Sequence, residues 1–424
     1  MLVFKFGGAS VKNAASVRNI ANILKKYNEN IVVVLSAMGK TTNALEQITD
    51  DYVNNQKVEL ERNFENLRAY HYYIMKGLFD DDKHPVYGKV KEIFTIMKAK
   101  FEKPPTLDYD FDYDQIVCNG ELLSTIIVSA YLNEVGVKTE WRDIRESLKT
   151  DNKYREGRVN WELTDQLVKK NFRFNSNHLF LTQGFLGSTR NNLSTTLGRE
   201  GSDYTAAILA YIIDAEKVII WKDVTGVLNA DPKWFDDTVL LEQLSYHDAI
   251  ELAYYGASVI HPKTIQPLKK KSIPLHVKSF VQPEMEGTLV GTSNYDKLIP
   301  SFIFKMNQVL VHISAKDFSF ITEDSLSIII GSFAKHGLKI NLMQNTAISF
   351  QVCVNKDENR LKRVISELEE MFLIDTETEL ELVTIRYYDQ ATIDRVTDNK
   401  EIILEQHNKT VAQMVMKDKG GNLI

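Results

Sequence analysis

Leu2-Val3-Phe4-Lys5-Phe6-Gly7-Gly8-Ala9-Ser10-Val11 opens the chain and decides how the rest is read. An apolar run rich in β-branched and aromatic side chains meets two glycines and a serine. Beyond them, between Lys12 and Tyr27, Val17, Ile20, Ala21 and Leu24 recur at helical spacing. The pattern predicts a strand, a tight glycine turn and a helix. Glycines in such a turn let the backbone approach a ligand, and amides at a helix start favour an anion such as phosphate. Lys5, at the strand's end, adds a positive charge. A lone Gly-Gly pair is equally an ordinary strand-to-helix turn of an α/β protein, so the weight comes from matching parts downstream.

Those parts recur in order. Ile31-Val32-Val33-Val34-Leu35 shows no alternation and reads as a strand covered on both faces. It ends in the hydroxyl-rich loop Ser36-Ala37-Met38-Gly39-Lys40-Thr41-Thr42-Asn43, ahead of a helix over Ala44 to Tyr52. Small and hydroxylic residues at the carboxyl end of a parallel strand are where open α/β sheets bind ligands, although Thr41 or Thr42 also suits plain helix capping. From Thr49 to Lys103 the chain is polar and helical, with Leu60, Phe64, Leu67, His71 and Ile74 on one face and a break at Asp80 to Pro85. His71 reads as a packed residue, and the acidic cluster at 80–82 as a solvated loop.

Ile116-Val117-Cys118-Asn119-Gly120-Glu121 leads into an apolar helix, Leu122 to Val135. Glu121 there is either a carboxylate resting on a helix dipole or one aimed into a cleft to hold an ammonium. Strands are expected at Lys138 to Trp141 and Leu179 to Phe185. A second glycine turn, Thr195-Thr196-Leu197-Gly198-Arg199-Glu200-Gly201-Ser202-Asp203, precedes the helix Tyr204 to Ile213. Arg199 suits bidentate recognition of a carboxylate or phosphate. Asp203 suits capping, orienting a lysine, or holding Mg²⁺. Lys217 to Trp221 is another buried strand, followed by Lys222-Asp223-Val224-Thr225-Gly226, a helix at Tyr246 to Tyr255, Gly256-Ala257-Ser258-Val259-Ile260-His261-Pro262 and a last strand at Pro274 to Lys278. Repeated strand-helix alternation predicts a mostly parallel sheet between helical layers.

Composition sets the bounds. At 424 residues, two or three domains are expected. A net charge of −6 gives no nucleic-acid or membrane footprint, and the two cysteines, Cys118 and Cys353, each inside an apolar run, predict buried free thiols in a reducing compartment. No apolar run approaches the ~18 to 20 residues of a membrane span and no secretory leader is apparent, so a soluble, cytoplasmic protein is expected.

Taken together over residues 2 to about 292, the two glycine turns, Ser36-Ala37-Met38-Gly39, Asn119-Gly120-Glu121, Gly198-Arg199-Glu200-Gly201-Ser202-Asp203, Lys222-Asp223-Val224-Thr225-Gly226 and Gly256-Ala257-Ser258-Val259-Ile260-His261-Pro262 closely resemble the aspartate kinases of the amino-acid kinase fold. The resemblance implies a three-layer αβα domain that transfers the ATP γ-phosphoryl group, with Mg²⁺ carried by the nucleotide, to the β-carboxylate of L-aspartate. The product would be 4-phospho-L-aspartate, entering the routes to lysine, threonine, methionine and diaminopimelate. A carboxylate acceptor is already nucleophilic, so positioning and charge neutralisation suffice.

By the same resemblance Lys5 neutralises the transferring phosphoryl group, Gly7 and Gly8 lie along the phosphates, and Asp203 holds Lys5. Arg199 clamps the substrate α-carboxylate and Glu121 its ammonium, with Ser36, Ala37, Thr42 and Ser202 lining the aspartate site. Lys222, Asp223, Leu228, Lys233 and Ser258 fall at nucleotide-binding positions. Three residues depart from the commonest pattern and bear on nucleotide affinity. Ala9 replaces a threonine, Glu200 stands where glycine is frequent, and Ser258 replaces a lysine for which Lys263 is a substitute. A charge at Glu200 would repel phosphates unless its side chain points to solvent.

After Gly287-Thr288-Leu289-Val290-Gly291 the pattern changes to strand (Val309 to Ile313), helix (Leu326 to His336), strands (Lys339 to Met343, Ile348 to Val354) and helix (Leu361 to Phe372). This resembles an ACT domain over about 302–378. A strand at Glu381 to Tyr387, a helix at Ala391 to Asp398 and strands at 401–404 and 411–416 read as a shortened second unit over 379–424. The resemblance implies a homodimer through this region and an amino-acid effector site. Where lysine-inhibited relatives have a glycine and acidic residues, this chain has Asp324 or its neighbour, Asn341 and Ala347. Loss of a carboxylate from an ammonium site weakens binding by about 2 to 5 kcal/mol, so dimerisation is the main expected role there. The length leaves no room for the dehydrogenase domain of bifunctional relatives. Two rivals stay open: a kinase of this fold for glutamate, acetylglutamate or a nucleotide, and a non-catalytic binding or regulatory subunit.

Overall fold

The computed structural model describes residues 1–174, 179–257, 260–292, 299–317 and 319–419. The chain divides into two compact units, one of Met1–Val227, Leu240–Ile250 and Val259–Asn294, the other of Leu228–Val239, Glu251–Ser258 and Tyr295–Ile424.

Strands β1 (Leu2–Phe6), β2 (Ile31–Leu35), β3 (Glu140–Arg142) and β4 (Leu179–Gln183) come first in the first unit. A short antiparallel pair follows, β5 (Leu186–Ser188) and β6 (Ser194–Thr196), then β7 (Lys217–Lys222), β8 (Gln243–Ser245), β9 (Leu275–Ser279) and β10 (Thr288–Gly291). All but β5 and β6 form one sheet in the order β3-β4-β2-β1-β7-β9-β10-β8. It is parallel except where β9 meets β10. Every residue of β1 and β2 is buried, so both faces of the sheet centre are covered. Phe4, Phe6 and Trp221 anchor that centre, the Phe6 ring stacked on Trp221 at 5.9 Å between centroids. Burial of each such side chain contributes about 1.5–3 kcal/mol.

The helices that precede β10 in the chain are α1 (Ala14–Leu24), α2 (Thr41–Val53), α3 (Lys57–Leu78), α4 (Pro85–Phe101), α5 (Tyr109–Val117), α6 (Asn119–Glu134), α7 (Trp161–Asn171), α8 (Gly201–Ile212), α9 (Tyr246–Tyr255) and α10 (Pro262–Lys270); the division into units falls inside α9, after Ile250. The helical segment breaks at the exposed acidic residues 80–82, between α3 and α4. His71 is packed inside it, its Nδ1 2.8 Å from Leu67 O, and burial lowers its pKa to about 4.

Several expectations are corrected. The first helix begins at Ala14 rather than Lys12, because Gly8–Val11 forms a 3₁₀ turn and Asn13 caps α1 through Ser16 N. Thr41 to Asn43 belong to the first turn of α2, and Lys40 at its N-cap supplies no side-chain bond. The helix expected from Leu122 begins three residues earlier, at Asn119, because α5 runs almost directly into α6 with only Cys118 between them. The run Tyr109–Glu134 is long and apolar enough to cross a membrane, contrary to the reading of apolar run lengths; 78% of its apolar window is buried inside the protein. Helix α8 starts at Gly201, so Asp203 sits in its first turn and does not cap it. The strand at Leu275–Ser279 is not the last, because β10 turns back to pair with it.

In the second unit β11 (Ser301–Ala315), α11 (Glu323–Lys335), β12 (Ile340–Asn345), β13 (Ser349–Asn355), α12 (Glu358–Leu368), β14 (Phe372–Arg386), α13 (Gln390–Thr397), β15 (Lys400–His407) and β16 (Val411–Asp418) follow the expected order. They form an antiparallel sheet, β12-β13-β11-β14-β16-β15, of ACT-like pattern. Strands β11 and β14 run through both halves, with a register shift between Lys305 and Gln308 where Asn307 adopts φ 54°. One core gathers around Val311, Ile329 and Phe333, another around Val383, Met414 and Met416. Helix α12 stops at Leu368 rather than Phe372, because Phe372 pairs with Ala315 at the start of β14. Both cysteines are buried free thiols.

Candidate active site

Parallel strands end side by side at one edge of the first sheet, and the loops that leave them build a cavity of about 690 Å³. Lys5 comes from β1, Ser36 and Thr42 from the β2–α2 loop and first turn, Glu121 from the start of α6, and Lys222 from the end of β7. Arg199, Glu200, Ser202 and Asp203 come from the turn and first residues of α8. Residues far apart in sequence are thus brought together by strand topology.

Lys5 and Asp203 are buried, with Lys5 Nζ 2.6 Å from Asp203 Oδ1. Lys222 Nζ lies 3.8 Å from Asp203 Oδ2. Burial alone would raise the Asp203 pKa, but the charges of Lys5 and Lys222 outweigh it and hold the carboxyl below its ordinary value. The site therefore presents two cations on one fixed carboxylate.

Glu121 is buried to 2% exposure. The Ala37 amide donates to its Oε1 at 3.2 Å, while Oε2 has no hydrogen-bond partner among the described residues. Desolvation raises its pKa to about 8, with Lys5 acting in the opposite direction. A buried acceptor lining a cavity with an unused oxygen is suited to a cationic ligand group, because an unmade bond there leaves its desolvation uncompensated.

The Gly7-Gly8 turn meets the β2–α2 loop at close range. A Cβ on Gly8 would stand 2.8 Å from Gly39 O, and Gly39 N donates to Gly8 O at 3.0 Å. Glycine is required at Gly8 by this approach and not by a left-handed backbone. Gly7 lies beside Lys5, its Cβ position 3.5 Å from Nζ. Ala37 is buried against this wall, and Ala9 is half-buried in the 3₁₀ turn. Ser202 packs so tightly on Gly184 that a Cβ there would lie 2.5 Å from the serine Cβ.

Arg199 is exposed and lines the cavity. Glu200 does not turn out to solvent, so the repulsive alternative applies: it is half-buried, lines the cavity, and its Oε2 is buried without a hydrogen bond among the described residues. Desolvation raises its pKa, countered by Lys222. Its backbone is left-handed, φ 53°, a conformation natural to glycine and strained for glutamate. Asp223 is exposed. Leu228, half-buried, and Lys233, exposed with its amide on Asp231 Oδ1, belong to the second unit. Ser258 lies outside the described residues. Lys263 is exposed at the start of α10, and its charge reaches Glu156 of the cavity wall.

Sequence reading missed one side of the cavity. Asp114 accepts from the amides of Arg155 and Thr196, each at 2.9 Å, and from Thr196 Oγ1 at 2.7 Å. Burial raises its pKa to about 6. Arg155, at φ 62°, lays its guanidinium 4.4 Å over the Tyr113 ring, and Tyr113 donates to Glu46 Oε1 at 2.7 Å. The acidic and aromatic run Asp108 to Asp114 was the available signal, yet such a run reads equally well as a solvated helix face.

Among the described residues no group of three or more His, Cys, Asp or Glu side chains is placed to hold a metal ion. In the second unit, Asn341 is engaged internally. It accepts from Lys305 Nζ at 2.9 Å and donates to Gln308 Oε1 and Asn355 Oδ1 at 2.9 and 2.8 Å. Ala347 is exposed, and Asp324 lies in the first turn of α11, not before it.

The model of the amino acid kinase family matches residues 1–279, and the chain belongs to that family. Over most of its length it is similar to aspartokinases. It is 27% identical to the lysine-sensitive aspartokinase 3 of Escherichia coli over 398 residues, covering 91% of this chain and 86% of that one. It is 30% identical to the chloroplastic aspartokinase 1 of Arabidopsis thaliana, covering 88% and 68%. It spans 42% of the Arabidopsis bifunctional aspartokinase/homoserine dehydrogenase 2, at 27% identity over 87% of this chain. The crystal structure of E. coli aspartokinase III with aspartate and ADP superimposes with a TM-score of 0.83 at 25% identity, covering 98% of this chain and 96% of that one.

Proposed function

We propose that the chain is an ATP-dependent aspartate kinase, making 4-phospho-L-aspartate from the β-carboxylate of L-aspartate. The observation that carries this is the pairing, in one cavity, of a buried Glu121 oxygen without a partner and a lysine pair fixed on Asp203. An amino acid offers both complements: an ammonium for Glu121 and a carboxylate to be phosphorylated near Lys5. That an E. coli relative was crystallised with aspartate and ADP supports the same reading.

In this mechanism Glu121 holds the substrate ammonium, Arg199 at the rim takes the α-carboxylate, and Ser36, Thr42 and Ser202 border the acceptor. Lys5 neutralises charge on the transferring group, while Asp203 keeps Lys5 from folding back onto the substrate carboxylate. No general base is required. Gly7, Gly8 and Lys222 fit the nucleotide phosphates, whose Mg²⁺ arrives with ATP and screens the remaining charge; Asp223, Leu228, Lys233 and Ser258 are assigned to the nucleotide on resemblance alone.

We assign the catalytic domain to 1–292, with its helical subdomain at about 49–103, and ACT-like units to 302–378 and 379–424. The protein is proposed to act in the cytoplasm as a homodimer joined through those units, at the head of lysine, threonine, methionine and diaminopimelate synthesis. One E. coli structure of this fold holds lysine with aspartate. Here the Asn341 network argues against a lysine ammonium at that place, because the amine of Lys305 already sits on its acceptor oxygen and would oppose a second cation there. The test is aspartate-dependent ADP release with the acyl phosphate trapped as hydroxamate, glutamate as control, and lysine or threonine added in turn. Turnover with aspartate alone supports the assignment; a folded protein that binds ATP without turnover replaces it with a binding or regulatory role.

A further inference from the structure

The loop between β2 and α2 has two sides. Ser36 and Thr42 line the catalytic cavity, whereas Gly39, Lys40 and Thr41 line a second cavity of about 580 Å³ on the way to α3. Its size falls within the range of small-molecule sites. Its floor is apolar, with buried Leu67 and the half-buried Ala44 and Tyr70 ring, and its charged lining residues are both cations, Lys12 and Lys40. Thr41 is 2% exposed and its Oγ1 has no hydrogen-bond partner among the described residues. That hydroxyl stands in the first turn of α2, a helix whose N-cap side chain makes no bond, so amides of its first turn are left without a side-chain cap.

The walls are built. Tyr70 OH donates to Lys12 O at 2.7 Å, and a Cβ on Gly39, whose φ is 55°, would lie 2.5 Å from that hydroxyl. Gln47 Nε2 and Asn63 Nδ2 donate to the buried Asp51 at 2.8 and 2.7 Å, which fixes both amides and satisfies the carboxylate behind the wall.

We infer that this cavity is a second ligand site, for a small amphiphilic oxyanion: a carboxylate or phosphate on an apolar or aromatic body. The anionic group takes Lys12, Lys40, the Thr41 hydroxyl and first-turn amides of α2 beyond Thr41, whose own amide donates to Met38 O, and the body lies over Leu67 and Tyr70. Occupancy is felt in the catalytic cavity through their shared loop. Gly39 touches Gly8 there, so a ligand that shifts Gly39 shifts the glycine turn beside Lys5.

The experiment is calorimetric titration of phenyl phosphate into the full chain, with saturating ADP and aspartate present so that the catalytic cavity is occupied. Phenol serves as the neutral control. The expected result is saturable one-to-one binding of phenyl phosphate, at least tenfold weaker for phenol and for the Lys12→Ala/Lys40→Ala double variant. Asn66→Trp, an exposed position on α3 at the cavity wall, fills the space and abolishes binding while leaving ADP release in the absence of phenyl phosphate unchanged. In the unaltered protein phenyl phosphate changes the apparent KM for aspartate at least twofold, an effect that Asn66→Trp removes. Absence of binding to the unaltered protein, or equal binding by folded forms of both variants, overturns the proposal. The binding arm is read independently of turnover, so it stands or falls apart from the kinase assignment.

Discussion

Lys5 Nζ and Asp203 Oδ1 lie 2.6 Å apart with both side chains buried, joining the end of β1 to the first turn of α8. The pair fixes a cation at the carboxyl edge of the sheet centre. Lys222 stands 3.8 Å from the other oxygen of the same carboxylate. Removing one member of a buried pair ordinarily leaves an uncompensated charge; here Lys222 remains to compensate Asp203.

Lys5→Ala is accordingly expected to lose kcat on the order of 10²–10³-fold, the scale seen when one preorganised charge-stabilising donor is removed. Its far-UV circular dichroism should match that of the unaltered protein, and its aspartate KM should move little. Steady-state kinetics decide: near-normal turnover in Lys5→Ala would remove the lysine from the phosphoryl-transfer step.

Glu121 predicts a pH dependence of substrate affinity. With a pKa of about 8 in the empty site, its carboxyl is protonated at lower pH. Capturing a substrate ammonium requires the ionised form, so the proton must leave on binding. Affinity for aspartate should weaken as pH falls below 8, by at most about tenfold per unit, and level off above it. Glu121→Gln should bind aspartate weakly with a flat profile. A flat profile in the unaltered protein between pH 6 and 8 would contradict this role.

Glu200 combines a left-handed backbone with a carboxylate turned into the cavity. Relief of the backbone should outweigh glycine's added freedom when unfolded, so Glu200→Gly is expected to stabilise the fold by up to about 1 kcal/mol. It also removes negative charge beside Lys5, Lys222 and Asp203, and should lower the KM for ATP several-fold. Thermal melting and ATP titration test the two effects separately; an unchanged or raised KM would show that Glu200 does not oppose the nucleotide.

The strands at the sheet centre were legible because uninterrupted apolar runs such as Val32 to Leu35 have few alternatives, and Lys5 and Asp203 stood out through the turns that carry them. Glu121 was legible as a residue but not as a buried one, since its isolation depends on how the start of α6 packs on Ala37. The direction of β10 was not legible, because a pairing of short strands across a turn is set by tertiary contacts rather than local pattern. The Arg155 and Glu200 conformations were hidden for a related reason. A non-glycine residue at positive φ breaks the local rule that would have revealed the turn.

Asp114 gives a stability prediction with a definite sign. Burial raises its folded pKa to about 6, above the ordinary value of 3.8, so the folded state holds the proton more tightly than the unfolded one. This group's contribution to stability is fully present below the unfolded value of 3.8 and is lost as pH rises through 6, on the order of 3 kcal/mol for a fully buried carboxyl. Asparagine can keep every bond: its oxygen accepts the Arg155 and Thr196 amides, and its amide donates to Thr196 Oγ1. Asp114→Asn should therefore match the unaltered protein at pH 3, where the carboxyl is protonated in both states, and exceed it in Tm at pH 8. Equal melting temperatures at both values would show that the ionised carboxylate is accommodated at no cost, and a loss at pH 8 would show that its charge stabilises this wall of the cavity.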